Sequence, residues 1–481
     1  MLVAAPAPDP ASETKHIQTL APTKEEKPSS SSKDKKEEQV LQQQTEEDMI
    51  SKIVDDILLL ILENVNLTTS VRASVLSKRW RHLPWLLSQL SIDIKDFLRE
   101  PYDHDHPTVD DIDKAMTSLT EAVRSMLAPT RRKSFITRLC ISFFITSGYS
   151  NEVGHLVNEA IENGMVKDIE LTCGIQMMPA TLSEEEMANH ADGVISFFRN
   201  YPNVYCCLTS LSLYNARFDE SDLHNLLANR CTELRYLYLN YCDTGFYTSF
   251  KIDVPDSKLN VLEFSRCTFD RVELFCLPKL KQVICGFWLC PCLPLTLGYV
   301  PCLKEIEFYG ALTVHSEPFK LRFSNLRQLY LHDIFVGFGL MWTTTLLEAA
   351  PSLEILRVEL YDHRRCQDEE KKKQIYGERT NAPWEVSKSS PPPHSSLKEL
   401  QLFGFNATEQ HMAFIGAVME RASNLQSVVL KEHYCKSCDA VIIPNFVECG
   451  FPKNKDEQDK IRNQFTSCAQ IIFREDDFSS V

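Results

Sequence analysis

The side chains with the clearest capacity for chemistry lie near the carboxyl end of the chain. His433, Cys435 and Cys438 form the pattern H-x-C-x-x-C, and imidazole and thiolate groups at such spacing are zinc ligands. A zinc ribbon also needs a second ligand pair, which does not follow at a suitable distance. Cys449 and Cys468 would join such a site only through folding. We therefore expect no metal and no cofactor.

The motifs of common catalytic sites are missing from the sequence. It contains no GxxxxGK loop for phosphate groups and only 15 glycines in 481 residues. Neither the GxSxG pattern of hydrolases nor the HExxH pattern of metalloproteases occurs. We expect a protein that is not itself an enzyme.

The stretch from Asp48 to Leu90 predicts short helices that need a partner surface. Asp55 and Asp56 favour the positive end of a first helix, and residues Ile57 to Leu62 are all apolar. A helix that is apolar all round has no face for solvent. It must therefore lie between its own domain and a second surface.

Two further helices are predicted in the same stretch. The run Thr68 to Ser70 can supply an N-cap for one of them, and Ser77 can cap the other. In the last helix Trp80, Leu83 and Leu87 share one face. Three helices in so few residues rarely form a sufficient core, so docking to another surface is the expected role.

These residues resemble the F-box in the form common in plants. The resemblance rests on ISKIVDDILLLILENV at 50–65 and SVRASVLSKRWRHL at 70–83. It implies that the helices bind the Skp adaptor of an SCF ubiquitin ligase, which holds the protein against a cullin scaffold. By this resemblance the residues facing the adaptor are Ile53, Val54, Ile57, Leu58, Ile61, Leu62, Val75 and Trp80.

Two positions depart from the family pattern. Ile53 and Val54 stand where Leu-Pro is usual, and Pro84 stands where a Trp commonly follows RHL, with Trp85 one position later. Loss of the first proline removes a fixed φ before the helix, which would weaken adaptor binding without changing the fold. The alternative interpretation of the whole stretch is a helical cap on a larger core.

The motif L-x-x-L-x-L recurs through the rest of the chain. Seven copies from 208 to 353, the one at 280 being weak, are separated by 26, 25, 21, 23, 23 and 27 residues, the spacing of leucine-rich repeats. Alternation places the last two apolar residues on one face of a short strand. Stacked units would form a parallel sheet with a continuous core. The eleven predicted units begin at Ile136, Val166, Leu208, Leu234, Leu259, Leu280, Leu303, Leu326, Leu353, Leu397 and Leu425.

The segments between these strands are predicted to be helical or irregular. Apolar residues at helical spacing occur from Ala191 to Phe198 and from Leu223 to Leu227. Thr408 can cap a longer helix that carries a Met-containing apolar stripe. In the strand motifs, Cys242 and Cys267 occupy the position that turns inward in such repeats, so we expect them to be structural rather than reactive.

Side chains that flank the inward positions of the strands are expected to be exposed. Tyrosine on a rigid surface offers a large contact area at a low entropic cost, which suggests a substrate-binding face. The alternative is that these are merely solvated strand residues. The candidates are Tyr214, Tyr236, Tyr238, Asn240, Glu307, Tyr309, Tyr330 and His332.

The last part of the chain resembles the FBD region that follows the repeats in many plant F-box proteins. The resemblance covers SSLKELQLFGFNATEQHMAFIGAVMERASNLQSVVLKE and a strand, AQIIF, near residue 471. It departs from the family at residues 419–422, where Met-Glu-Arg-Ala stands in place of Leu-Glu-Asn-Ala. The resemblance implies terminal repeats and a cap, and no biochemical role.

The composition indicates which classes of partner and which cellular compartment to expect. The net charge of −15 argues against nucleic acid and against an anionic membrane surface as ligands. The uncharged segment 283–303 contains Pro291, Pro294 and Pro301, which would break a membrane-spanning helix repeatedly. No secretory signal is evident, and 17 scattered cysteines suit a reducing compartment. We expect a cytoplasmic or nuclear protein.

The sequence thus predicts an α/β chain, with a three-helix F-box followed by an irregular leucine-rich-repeat solenoid. We place a disordered tail at 1–47, the F-box at 48–92 and a helical linker at 93–133. The repeats occupy 134–395 with a charged insertion at 361–396, and the FBD-like end occupies 396–481. The predicted function is substrate recognition in an SCF ligase, with an unknown protein as target. The alternative is a repeat scaffold outside any ligase.

Overall fold

The computed structural model describes fifteen parts of the chain. They are residues 53–75, 77–98, 107–146, 148–175, 182–219, 221–229, 231–245, 249–269, 271–286, 295–309, 323–335, 340, 343–361, 393–432 and 451–474. The predicted tail, most of the charged insertion and the H-x-C-x-x-C pattern lie outside the described residues. The chain divides into two units after Leu58, and every described strand lies in the second unit, Leu59–Val481.

Helices are most frequent in the first half of the described chain. The α-helices are α1 (Asp55–Glu63), α2 (Leu67–Ala73), α3 (Val109–Leu127), α4 (Tyr149–Glu162), α5 (Glu184–Asn200), α6 (Pro202–Cys206), α7 (Asp222–Asn229), α8 (Thr344–Ala349), α9 (Glu409–Arg421) and α10 (Lys455–Arg462). Trp80–Leu86 and Ile94–Asp96 are 3-10 helices.

The strands are short and follow one another along the chain. They are β1 (Gln89–Asp93), β2 (Ile136–Phe143), β3 (Val166–Cys173), β4 (Leu208–Tyr214), β5 (Tyr236–Asn240), β6 (Ser249–Asp253), β7 (Val261–Ser265), β8 (Arg271–Cys276), β9 (Gln282–Gly286), β10 (Leu295–Tyr299), β11 (Glu305–Tyr309), β12 (Gln328–Phe335), β13 (Ile355–Tyr361), β14 (Glu399–Phe403), β15 (Ser427–Lys431) and β16 (Gln470–Arg474).

Thirteen of these strands form one parallel sheet. Its order is β1-β2-β3-β4-β5-β7-β9-β11-β12-β13-β14-β15-β16, so neighbours in the sheet follow chain order. Each of the eleven L-x-x-L-x-L motifs contributes one strand, and all three apolar positions of every motif are buried, at most 8% exposed. The predicted large sheet of parallel strands is confirmed. The strand AQIIF is also confirmed as β16, whereas β1 was not predicted.

The helices predicted between strands are present. The apolar spacing of 191–198 forms the buried side of α5, and that of 223–227 forms α7. Thr408 caps α9, because its side chain accepts a hydrogen bond from the His411 N–H. An apolar stripe at helical spacing can bury itself only against another surface, which here is the sheet core.

A second, smaller parallel sheet was not predicted. It consists of β10, β8 and β6 in that order, each from a segment between two strands of the large sheet. Phe250 on β6 stacks on Phe269 with ring centroids 5.1 Å apart, and both rings are buried. The prediction of helical or irregular returns is therefore wrong for the segments that contain β6 and β8.

Residues with a left-handed backbone recur near the carboxyl ends of strands of the large sheet, in most cases just beyond the last strand residue and in β12 at a shift of register inside the strand. Four non-glycine residues have φ between 51° and 56°, a region that L-amino acids rarely adopt. They are Asn215, Tyr241, Arg266 and Asp333, and Gly404 occupies the same place with φ 76°. The reversal turns the following side chain inward, and Cys242 and Cys267 are accordingly 0% exposed. The inward position predicted for these two cysteines is confirmed.

In the part of the chain that the structure describes, the helices are too short or too polar for a membrane span.

Candidate functional site

Exposed apolar side chains concentrate at the start of the described chain. Among the described residues, eight of the twelve exposed large hydrophobic side chains fall within 54–86. They are Val54, Ile57, Leu60, Ile61, Val65, Val71, Val75 and Leu86. Such a concentration is typical of a surface that another protein covers.

The predicted adaptor-facing residues divide into two groups. Val54, Ile57, Ile61 and Val75 are exposed, at 61%, 45%, 44% and 83%, and Ile53 and Trp80 are half-buried. Leu58 and Leu62, four residues apart on α1, are 0% and 3% exposed. Residues at this spacing share one side of a helix. The structure therefore corrects the prediction for Leu58 and Leu62, which belong to the core and not to the exposed side.

The start of α2 differs from its predicted position. Asn66 is the N-cap, with its side-chain oxygen accepting a hydrogen bond from the Thr69 N–H at 2.8 Å. The predicted cap in the run 68–70 is wrong because these residues already lie within the helix. Ser70 instead donates its hydroxyl to the carbonyl of Leu62 at 3.1 Å, which ties α2 to the end of α1.

The third predicted helix is a 3-10 helix, Trp80–Leu86, with Pro84 inside it. Proline has no N–H for the i to i−4 bond of an α-helix, and the tighter 3-10 turn is used in short pieces. Ser77 accepts a hydrogen bond from the Trp80 N–H at 3.3 Å, but the N-cap position of this helix is Arg79 and not Ser77 as predicted.

A buried arginine attaches this 3-10 helix to α3. Arg132 is 2% exposed and donates to the carbonyls of Pro84, Leu87 and Met126 at 3.2, 2.8 and 2.9 Å. Burial lowers the pKa of its guanidinium to about 10, so the group stays charged at neutral pH. Trp85 adds a bond from its indole N–H to the Ser125 carbonyl at 3.2 Å. The 3-10 helix is thereby fixed to the carboxyl end of α3.

The second candidate surface is the outward side of the large sheet between β4 and β7. The rings of Tyr214 and Tyr238 meet edge to face with centroids 5.6 Å apart. Tyr236 donates its hydroxyl to Glu263 at 2.5 Å, and the Asn240 amide donates to the Tyr238 hydroxyl at 2.6 Å. Burial raises the pKa of Tyr214 to about 12 and also raises the pKa values of Tyr236 and Tyr238, so the three hydroxyls stay protonated.

Asn240 differs from its prediction. It is 0% exposed, although its position on β5 predicted exposure. The residue ends its strand just before the left-handed Tyr241, and Tyr238 binds its amide. Asn240 therefore holds the Tyr238 hydroxyl through a hydrogen bond and does not contact solvent.

Further along the same side, His332 lies between two carboxylates. Its Nδ1 is 2.7 Å from Glu359 and its Nε2 is 3.6 Å from Glu307, and its ring stacks on Tyr309 at 4.1 Å. Burial alone would lower the pKa of His332, but Glu307 and Glu359 outweigh it and raise the pKa to about 9. The contact with His332 lowers the pKa of Glu307 to about 2. At 8% exposed, His332 is buried rather than exposed as predicted.

A row of stacked cations and rings continues across β12 to β15. Arg357 lies over the rings of Tyr330 at 4.5 Å and Phe403 at 5.1 Å, and Lys431 also lies over Phe403 at 5.3 Å. Arg357 donates to the side chain of Gln401 at 2.6 Å. Alternation along β13 and β14 places Arg357 and Phe403 on the predicted outward side of the sheet. Their positions follow from the register, which pairs Arg357 with Tyr330 and with Gln401.

The two inward cysteines have no reactive thiol. The Cys242 thiol contacts the carbonyl of Leu213 at 3.5 Å, and that of Cys267 contacts the carbonyl of Leu239 at 3.4 Å. Burial raises the pKa of Cys242 to about 12 and that of Cys267 well above its ordinary value. Both thiols stay protonated and contribute to packing.

Within the described ranges, no three His, Cys, Asp or Glu side chains are arranged to hold a metal ion. The H-x-C-x-x-C pattern at 433–438 lies outside these ranges.

The comparisons with known proteins place the exposed segment in a family. The model described as "F-box domain" matches residues 50–84, which include α1, α2 and the beginning of the 3-10 helix. Residues 50–84 are thus an F-box domain, as the sequence resemblance predicted. No curated protein matches the chain.

Proposed function

We propose that the chain is the substrate-recognition subunit of an SCF-type E3 ubiquitin ligase. One observation carries the proposal: the F-box match at 50–84 coincides with the concentration of exposed apolar side chains at 54–86. In this proposal the exposed side chains bind the Skp adaptor, which connects the chain to a cullin scaffold. Ile53, Val54, Ile57, Ile61, Val75 and Trp80 are the proposed contacts.

The large sheet would be a leucine-rich-repeat solenoid that holds a target protein. Eleven motifs at intervals typical of these repeats form eleven neighbouring strands, which supports this assignment. The strands from β14 to β16, together with α9 and α10, would be the FBD-like terminal repeats and cap. This part of the resemblance also suggests a plant protein.

The proposed contribution of the chain to ubiquitin transfer is proximity, not catalysis. A bound target would be held beside the loaded ubiquitin carrier, which raises the effective concentration of its lysines. Other subunits would carry out the transfer. We place this function in the cytoplasm, the nucleus or both.

A second candidate function is a repeat scaffold outside any ligase. It is favoured by Val54, which stands at the usual proline position, and by Pro84, which lies inside the 3-10 helix. Both departures change the region that would contact the adaptor. In this alternative the outward side of the sheet would still bind a partner protein.

Co-purification with the Skp adaptor and cullin distinguishes the two functions. The wild-type chain is expected to recover both, and Ile57→Asp combined with Trp80→Ala is expected to recover neither, because a buried charge and a lost ring disrupt an apolar interface. Val109→Asp is the control, since Val109 is 77% exposed but lies outside 54–86. Failure of the wild-type chain, or equal recovery by the double variant, would exclude the ligase proposal.

A further inference from the structure

Carboxylates and tyrosines share the outward side of the large sheet from β5 to β13. Tyr236 donates to Glu263, and Tyr309 donates to Glu307 at 2.8 Å. Glu305 and Glu307 lie on the same strand, and Glu359 follows on β13. We call this surface the carboxylate face, defined by Glu263, Glu305, Glu307 and Glu359 with Tyr236 and Tyr309.

Glu305 and Glu307 crowd each other in the middle of the carboxylate face. Both accept a hydrogen bond from the same amide, that of Gln282, at 3.1 and 2.7 Å. Burial and the neighbouring Glu307 raise the pKa of Glu305. Two half-buried carboxylates that share one neutral donor repel each other, and a bound cation would relieve that repulsion.

The positive groups on this side do not balance the carboxylates. At the outward positions of the large-sheet strands β7, β9, β11, β12 and β13, four glutamates face two cations, His332 and Arg357. His332 is engaged by Glu359, and Arg357 is stacked between Tyr330 and Phe403. The face therefore keeps a net negative charge next to aromatic rings.

Two buried polar atoms on the same side have no hydrogen-bond partner among the described residues. One is the Oδ1 atom of Asn240, and the other is the Nε2 atom of His332, which is directed at Glu307 but lies 3.6 Å away. Both atoms are buried, so they lie beneath the carboxylate face and are not contacts for a bound peptide.

We propose that the carboxylate face recognises a lysine- or arginine-containing segment of a partner protein. Ammonium and guanidinium groups donate several hydrogen bonds and accept none, which matches a face rich in acceptors. The tyrosine rings add favourable contacts with the same cations. The inference rests on the proposed function, because it takes this partner to be the target of the ligase. It adds that the target carries a basic segment.

Peptide binding to the full-length chain tests the inference. The probes are three pools of short synthetic peptides of equal length, rich in Lys and Arg, in Asp and Glu, or in neutral polar residues. We expect the basic pool to bind at physiological salt and the other two not to bind. Glu305→Gln with Glu307→Gln should weaken binding of the basic pool about tenfold, as expected for loss of charges from a partly buried interface.

A matched control separates the face from the overall charge of the chain. Glu121→Gln with Glu420→Gln removes the same charge from exposed positions on α3 and α9, and binding should stay at the wild-type level. Conversely, Glu305→Lys with Glu307→Lys should transfer the preference to the acidic pool. The inference is wrong if both Gln pairs weaken binding of the basic pool equally. It is also wrong if the wild-type chain prefers the acidic or the neutral pool.

Adaptor recovery is measured on the same preparations, so that a failure of the ligase proposal can be distinguished from a failure of the carboxylate-face proposal. Normal recovery of the adaptor without binding of the basic pool would contradict only the carboxylate face. Binding of the basic pool without adaptor recovery would contradict the ligase, while the face would remain as the peptide site of a scaffold.

Discussion

At the scale of single residues, polar groups on the outward side of the sheet are held by their neighbours. His332 is stacked on Tyr309 and bound by Glu359, and Asn240 supports Tyr238. Sequence alternation indicates which side of a strand such residues occupy. It does not indicate that a neighbouring strand will cover them, because that depends on register and on the length of the adjacent side chains.

We expect His332 to stabilise the fold in a pH-dependent way. Its pKa is raised to about 9 in the folded chain, so its contribution is complete below the unfolded value of about 6.5 and is lost as pH rises through 9. We compare the unfolding free energy of the wild-type chain with that of His332→Gln. The wild-type value minus the variant value should fall by about 2 kcal/mol between pH 6 and 10, after allowance for solvent screening. Urea denaturation of both chains measures this difference, and a constant difference would contradict the charged histidine.

Alkylation should distinguish the buried cysteines from exposed ones. Cys242 and Cys267 are 0% exposed with raised pKa values, whereas Cys206 and Cys468 are exposed. Because solvent reaches both of these thiols, iodoacetamide should label Cys206 and Cys468 in the folded chain. Mass spectrometry of native and urea-unfolded samples should show labelling of the inner pair in urea alone. Native labelling of Cys242 at the rate of Cys206 would argue against its structural role.

At the scale of elements, the strands of the large sheet could be predicted from the sequence, whereas the small sheet between them could not. Eleven strands follow from a short motif, because alternation and burial act within each motif by itself. The strands β6, β8 and β10 have similar alternation, such as Phe250 and Ile252, but they become a sheet only when three segments meet in space. The F-box helices show the same limit, since the predicted apolar α1 has both a buried and an exposed side.

The buried Arg132 should be essential for the attachment of the 3-10 helix. Arg132→Met keeps the side-chain volume but leaves three carbonyls without a donor, which should cost about 2 to 4 kcal/mol of unfolding free energy. Hydrogen exchange should increase in Trp80–Leu86. Lys133→Met is the matched control, because Lys133 is exposed, and it should change stability by less than about 0.5 kcal/mol. Equal effects of the two changes would contradict the role of Arg132.

Glycine at position 404 should be required by the turn after β14. A Cβ atom there would lie 2.5 Å from the Leu360 carbonyl oxygen, and φ is +76°. Gly404→Ala should therefore reduce the unfolding free energy by about 2 to 4 kcal/mol. At Gly148, φ is −87° and a Cβ atom would meet no atom within 4 Å. Thermal unfolding should show Gly148→Ala close to wild type, and equal losses would argue against strain at 404.

At the scale of the whole molecule, the proposed function separates two binding activities on one chain. The F-box match and the exposed apolar residues lie at 50–86, whereas the tyrosines and carboxylates lie on the sheet between 214 and 359. The location of the first could be predicted because its sequence pattern is specific to a family. The second could be predicted only as a side of the sheet, since the residues that complete it come from many strands.

Variants on the sheet should therefore lose target capture and keep the adaptor. Tyr236→Ala, Tyr238→Ala and Tyr330→Ala together remove three half-buried rings from the outward side, and loss of such anchors commonly costs an interface 2 kcal/mol or more each, roughly. Capture of basic peptides should fall below detection, whereas adaptor recovery should match wild type. Unchanged capture by a folded triple variant, checked by circular dichroism, would exclude the tyrosines from the binding site.

The order of the strands has a consequence for how the chain is made. Because each strand of the large sheet pairs with the strands before and after it in chain order, the contacts that close the sheet join residues only a few tens of positions apart. Such contacts form without long loops, and repeat arrays can grow from one end. During synthesis, β2 can pair with β1 before the later strands leave the ribosome. Each new strand can then pair with the edge strand of a sheet that has already formed. The F-box precedes β1 in the chain, so it is synthesised before any strand of the large sheet.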